Sequence, residues 1–305
     1  MDVPIRMSKV TKRFKDTIAL DNVTLDSSPG INVILGPNGA GKSTMLRCIM
    51  GLYKIEKGRI KILGRDPYIS DELKYKISLL SDNYALYDDL SARQNLEFFG
   101  RLYGLTKEEI ATRAKKILDE LDAYKFIDFK VGALSRGTKQ KIAFCRSVLN
   151  DPDILLMDEP TAFLDATSAA YVRRFMMDYD KKGRTVVFVT QKLDEVLRFN
   201  SRLIILSKGK IVKDSKKGAF YKELLRDSNV IIRFVKPVEI IKLKNLCFEK
   251  EAGGEKTVNM VNVRINSYRD INHALRTLMS KGIYVLSVDY LEPLIGEAAK
   301  MKDGS

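Results

Sequence analysis

The chain is poor in the residues that carry much enzyme chemistry. It has one histidine, His273, and three cysteines, Cys48, Cys145 and Cys247, in 305 residues. The cysteines are far apart and odd in number. They offer neither metal-ligand spacing nor a disulfide framework, and are read as buried thiols of a reducing compartment. No apolar run approaches the ~18 residues that a membrane helix needs, so nothing is expected to span a bilayer. The stretch MDVPIRMSKVTKRFKD is too charged for a signal peptide, and a cytoplasmic location is expected. Internal repeats and low-complexity segments are absent. His273 lies on a helical pattern far from every motif below and is read as an ordinary helix-face residue.

What is present is a globular composition, 45% hydrophobic and 30% charged, with a net charge of +14. Such a balance favours anionic partners: nucleotides, nucleic acid or an acidic membrane surface. The basic residues are scattered rather than blocked, so a merely solvated basic surface accounts for them equally well.

The hydropathy pattern alternates strands and helices. Residues 1–26 read as a β-hairpin turning at Lys15–Asp16. INVILG is a short buried strand, a helix follows from Lys42 to about Leu52, and GRIKILG is another strand. From about 88 to 122 apolar residues recur at three- and four-residue spacing, and Thr106 with Glu109 forms a capping-box signature. ILLMD and TVVFVT read as parallel strands buried on both faces, with a helix from Thr167 to Tyr179 between them. TVVFVT runs into Gln191 and then a helix-like run from Lys192 to Arg198. A polar linker helix is expected over 214–228. Beyond it NVIIRFV, a helix at 237–245, two strands around EAGGEK, a helix at 268–281, IYVLSVDY and a final helix suggest a small α+β domain, ferredoxin-like.

Two stretches carry chemistry by their own residue types. GPNGAGKST, comprising Gly36, Pro37, Asn38, Gly39, Ala40, Gly41, Lys42, Ser43 and Thr44, follows a strand and opens a helix: the phosphate-binding loop pattern. Its glycines let backbone N–H groups approach phosphate oxygens, and the helix N-terminus adds partial positive charge. Lys42 is a point charge for the β- and γ-phosphates, and the Ser43 hydroxyl suits Mg²⁺. DILLMDEP then ends a buried strand in adjacent carboxylates. Asp158 suits Mg²⁺, through water, and Glu159 suits the activation of an attacking water.

With LSRGTKQ between them, these motifs resemble the nucleotide-binding subunit of ABC transporters, over about residues 4–225. The resemblance implies a P-loop NTPase α/β fold of the ABC type over 1–225 with a helical subdomain at about 88–150, followed by the small α+β domain at 226–305. It implies that Ser135, Arg136 and Gly137, in a variant of the LSGGQ signature, meet the ATP of a second protomer, and that two chains clamp two ATP molecules head to tail. Phe14 falls where the family places an adenine-stacking aromatic. TAFLD, Thr161 to Asp165, resembles the loop that touches the partner protomer, with Ala162 and Phe163 departing from the usual Ser-Ala or Ser-Gly.

Two further departures concern the reaction. Asp82 stands where the family has a glutamine; it can still coordinate Mg²⁺ but reaches less far. Gln191 stands where the family has a histidine that contacts the γ-phosphate. A glutamine donates a hydrogen bond but carries no charge. The expectation is therefore intact ATP binding with slowed hydrolysis, Glu159 and Gln191 being the catalytic pair. The organisation resembles single-domain, exporter-type subunits. That implies ATP-driven solute export through a separate membrane subunit, which docks beside residues 80–100 and places the chain on the cytoplasmic face of the membrane. Nucleic acid is not an expected partner. The alternatives are a non-transport ABC ATPase acting on nucleic acid or ribosomes, and a degenerate ATP-binding regulatory subunit of a heterodimer.

Overall fold

The computed structural model describes residues 3–199, 201–216, 228–239, 248–249, 257–265 and 268–290. The chain divides into two compact units, Met1–Ser215 and Lys216–Ser305.

The first unit starts with strands β1 (Ile5–Phe14) and β2 (Thr17–Asp26), joined by the expected tight turn. They form an antiparallel sheet in the order β2-β1-β4 with β4 (Lys57–Ile62). A second, six-stranded sheet is built from β3 (Gly30–Leu35), β5 (Ile77–Leu80), β6 (Ile154–Asp158), β7 (Thr185–Thr190), β8 (Arg202–Ser207) and β9 (Lys210–Ser215), in the order β5-β6-β7-β3-β8-β9. The first five run parallel, and β9 returns antiparallel along β8. Strands β3, β5, β6 and β7 are buried along their whole length. This is why their sequences read as continuous apolar runs rather than alternating ones.

Helix α1 (Lys42–Ile49) packs between the two sheets. Its Met45, Leu46 and Ile49 join Ile5, Met7 and Val10 of the small sheet and Leu156, Val187 and Val189 of the large one in a single core. Each such side chain contributes about 1.5–3 kcal/mol when fully buried. The loop ahead of α1 is thereby fixed to a rigid floor. After the short α2 (Leu73–Lys76), helices α3 (Ala92–Leu102), α4 (Lys107–Glu120) and α5 (Arg136–Val148) pack on one another. The capping box at Thr106 and Glu109 forms, and a second forms at Ser91 and Gln94. Helices α6 (Ala166–Lys181) and α7 (Leu193–Leu197) follow β6 and β7.

In the second unit a four-stranded antiparallel sheet has the order β11-β12-β10-β13, made by β10 (Ser228–Glu239), β11 (Phe248–Glu249), β12 (Thr257–Ile265) and β13 (Val285–Tyr290), with helix α8 (Tyr268–Ser280). Two sequence expectations change here. The helix expected at 237–245 does not begin at 237, because β10 runs on through Glu239, pairing Val238 with Val258 and Glu239 with Thr257 beyond a register shift; residues 240–245 lie outside the described residues. The linker expected from 214 starts later, since Asp214 and Ser215 pair with Ile204 and Leu203 as the end of β9. The rest of that linker and the final helix lie outside the described residues.

Candidate functional site

Four neighbouring parallel strands end at one edge of the large sheet and deliver the candidate residues to it. Strand β3 runs into the phosphate-binding loop, β6 into Asp158 and Glu159, β7 into Gln191, and β5 into Ser81 and Asp82. The register fixes their heights: Leu35 pairs with Thr190, and Asp158 with Val189. Beyond the strands, Gly36 N–H donates to Thr190 O at 3.2 Å and Glu159 N–H to Val189 O at 3.1 Å. The carboxyl edge of such a sheet is where ligands sit.

In the loop, Pro37, Asn38 and Gly39 are exposed, while Gly36 and Ala40 are buried. Gly41 caps α1 with φ 102°, and no side chain caps the helix. Its first N–H groups are therefore left for an anion, where the dipole favours one. A Cβ on Gly41 would lie 2.3 Å from Ala19 O, so glycine is required by space as well as by φ. Lys42 is 7% exposed and bridges the loop, donating to Gly36 O at 2.8 Å and Pro37 O at 3.0 Å. Burial pushes its ammonium below the ordinary value, against the pull of Glu159 and Asp158. Thr44 follows Ser43 in the first turn of α1.

Asp158 is 6% exposed. Burial raises its carboxyl, while a hydrogen bond from Ser43 acts the other way. A hydroxyl and a carboxylate side by side are a hard-oxygen pair, the donor chemistry that suits Mg²⁺ shared with phosphates and water. Among the described residues no group of three or more His, Cys, Asp and Glu side chains could hold a metal by itself.

Glu159 has φ 46°, the left-handed region that few non-glycine residues adopt. Its carboxylate accepts from the Gln191 backbone N–H at 2.9 Å and from the Thr190 hydroxyl at 3.2 Å. Burial raises this carboxyl too, opposed by those two donors and by Lys42. The Gln191 residue itself is exposed.

Asp82 is otherwise engaged. Its Oδ1 accepts from Arg47 Nη2 at 2.5 Å, from Ser81 Oγ at 3.0 Å and from Asn83 N–H at 3.0 Å. Arg47, on α1, gave no signal in the sequence; neither did Thr190, whose hydroxyl reads as ordinary strand content. Phe14 ends β1 and is 42% exposed, its ring edge-on to Tyr53 at 5.3 Å, with Lys12 Nζ 4.9 Å from the centroid.

Ser135, Arg136 and Gly137 open α5. Ser135 is its N-cap, accepting from Thr138 N–H at 3.2 Å. Arg136 is exposed and Gly137 half-buried. Among the described residues, no hydrogen bond or ion pair joins the three to the phosphate loop of the same chain. They form a separate surface, next to the loop after Glu159, which Gln140 grips by donating to Glu159 O at 3.4 Å and Pro160 O at 3.2 Å.

The model of the ABC transporter family matches residues 20–162. The ABC transporter ATP-binding protein NatA of Bacillus subtilis is 34% identical over 235 residues, 74% of this chain and 96% of that protein. The spermidine/putrescine import ATP-binding protein PotA of Nitrosomonas europaea is 34% identical over 71% of this chain but 61% of its own length. A solved dimeric ATP-binding cassette, in a post-hydrolysis state bound to ADP and Pi, superposes with a TM-score of 0.63 at 28% identity, over 70% of this chain and 98% of that one. Among the described residues no helix is long and apolar enough to cross a membrane.

Proposed function

Since the chain belongs to the ABC transporter ATP-binding family, we propose that it is an ATPase subunit that powers transport through a separate membrane subunit. The convergence of the phosphate loop, the two carboxylates and Gln191 on one sheet edge carries the reading. The nucleotide's phosphates lie on the Gly36–Thr44 loop and the N-terminus of α1, with Lys42 against the β- and γ-phosphates and the base on Phe14. Ser43 and Asp158 would hold Mg²⁺, which would supply charge neutralisation on the phosphate oxygens. Glu159 orients and deprotonates the attacking water; Gln191 donates to the γ-phosphate from the strand that also holds Glu159. Removing a general base costs about 10²–10⁴ in rate and removing one preorganised donor about 10²–10³. A chain that keeps the base and an uncharged donor is therefore slowed, not silenced.

Two chains close head to tail on ATP, each presenting Ser135, Arg136 and Gly137 to the other's nucleotide, and hydrolysis reopens them. The membrane subunit docks near residues 80–100, which places the chain on the cytoplasmic face of the membrane. Export is the proposed direction, supported by the exporter-like run of residues 51–67 and 86–100. Affinity capture of the tagged chain from detergent-solubilised membranes tests the assignment. Recovery of a polytopic membrane protein supports it. Recovery of ribosomes would transfer the chain to non-transport work, a reading that the net charge of +14 keeps in play. Recovery of a second, different ATPase chain would make it one half of a heterodimer.

A further inference from the structure

Two residues that depart from the family pattern in separate motifs touch each other. The Arg136 guanidinium lies 5.5 Å from the centroid of the Phe163 ring. Arg136 opens α5, whereas Phe163 belongs to the loop between β6 and α6. Glycine at 137 makes the approach possible, since a Cβ there would sit 2.7 Å from Phe163 O. Phe163 holds φ 62°, which a bulky residue rarely adopts, and the residue stays 59% exposed. Farther along α5, Gln140 holds the carbonyls of Glu159 and Pro160, and Lys141 pairs with Asp165 at 2.8 Å. Helix α5 and the loop after Glu159 are thus fastened at three points.

Arg136 is placed against its own electrostatics. A cation in the first turn of a helix meets the positive end of the dipole. Among the described residues it forms no ion pair with a carboxylate. A permanently charged group at that position, steadied by a ring face and pointing to solvent, is arranged for an anion brought from outside the chain.

We propose that Phe163 is a positioning residue that aims Arg136 at the triphosphate bound by a second protomer, so that the guanidinium supplies across the interface the positive charge that Gln191 lacks. The inference rests on the dimer proposed above and adds to it a division of labour. Gln191 offers a neutral donor from one side, and Arg136 a charged one from the other. Charge-assisted hydrogen bonds are roughly twice as strong as neutral ones. Stacking also lowers the entropy lost when the guanidinium docks, because the ring already restricts it.

The test is ATP-dependent dimerisation of the full chain carrying Glu159→Gln, followed by analytical ultracentrifugation over a salt series. The set is Phe163→Ala, Phe163→Tyr, Arg136→Gln and the double variant, each checked for folding by thermal melting. Phe163→Ala should weaken the dimer about two- to fivefold, the range of an exposed cation–π contact, and Phe163→Tyr should restore it. Arg136→Gln should weaken it about ten- to hundredfold, as for a lost charged hydrogen bond, and flatten the salt dependence. In the Arg136→Gln background Phe163→Ala should add nothing. Should Phe163→Ala melt early, Phe163→Leu, which keeps bulk without a π face, takes its place. A dimer that Phe163→Ala and Arg136→Gln leave as tight as the parent, or losses that simply add in the double variant, would overturn the proposal while leaving the dimer standing. A parent that stays monomeric with ATP would remove the dimer itself, and the proposal with it.

Discussion

The backbone N–H of Gln191 donates to Oε1 of Glu159 at 2.9 Å. The contact is made by main chain, so it does not depend on which side chain occupies position 191. The neighbouring Thr190 hydroxyl holds Oε2 at 3.2 Å. Strand β7 therefore orients the proposed base in full, and the departure from histidine touches only an exposed side chain. That separation of roles explains why a chain without the usual histidine need not be inert.

Substitution at 191 should accordingly act on turnover and spare binding. Gln191→Ala is expected to lower kcat by up to about 10², since a donor to the transition state is lost, with ATP affinity unchanged. Gln191→His should raise kcat. Steady-state kinetics beside equilibrium nucleotide binding separate the two effects.

The pH profile follows from Glu159. Burial raises its carboxyl above the ordinary value, and a base works only when deprotonated. Activity should therefore fall, as pH drops, at a higher pH than an exposed glutamate would give. Thr190→Val removes a hydrogen bond that favours the charged form, so the acid limb should move higher still. The limb reports Glu159 beside its more deeply buried neighbour Asp158, and the kcat/KM profile of the two proteins measures the displacement.

Arg47 and Asp82 form a pair at 2.5 Å whose carboxylate side is 51% exposed. A pair so open to water contributes at most about 1 kcal/mol, so Asp82→Gln should leave the melting temperature nearly unchanged. Arg47→Met should free the Asp82 carboxylate, a hard oxygen ligand next to the proposed Mg²⁺ position. The Mg²⁺ concentration for half-maximal turnover should then fall, and Asp82→Gln in the same chain should cancel the change. Magnesium titrations of the three variants decide this.

Gly41→Ala should damage both fold and site. The new Cβ would meet Ala19 O at 2.3 Å, in a backbone with φ 102°. Strain of this kind costs about 1–3 kcal/mol, and relieving it moves the loop off the N-terminus of α1. A lower melting temperature together with lost ATP binding is the expected pair of results.

The sequence was most legible where local pattern and tertiary need agree. The phosphate loop announces itself through its glycines, the parallel strands through uninterrupted apolar runs, and α4 through Thr106 and Glu109. It was least legible where partners are distant or a conformation lacks its usual marker. Arg47 and Asp82 are joined only by folding, as are Arg136 and Phe163. Glu159 and Phe163 adopt left-handed backbone at φ 46° and 62° without being glycine or asparagine, so the sequence does not flag these two conformations. In the second unit, β10 continues past Pro237 through a register shift. The apolar spacing after 237 resembles a helix because it cannot show which strand lies alongside.

Steady-state Mg-ATP hydrolysis by the purified chain, with Glu159→Gln as control, tests the central claim most directly. Measurable turnover that disappears in the control, with ATP binding persisting in both, is the expected result. ATP binding without turnover in the unaltered chain would contradict it: Gln191 would then not substitute for the histidine, and the hydrolytic site would have to come from another subunit.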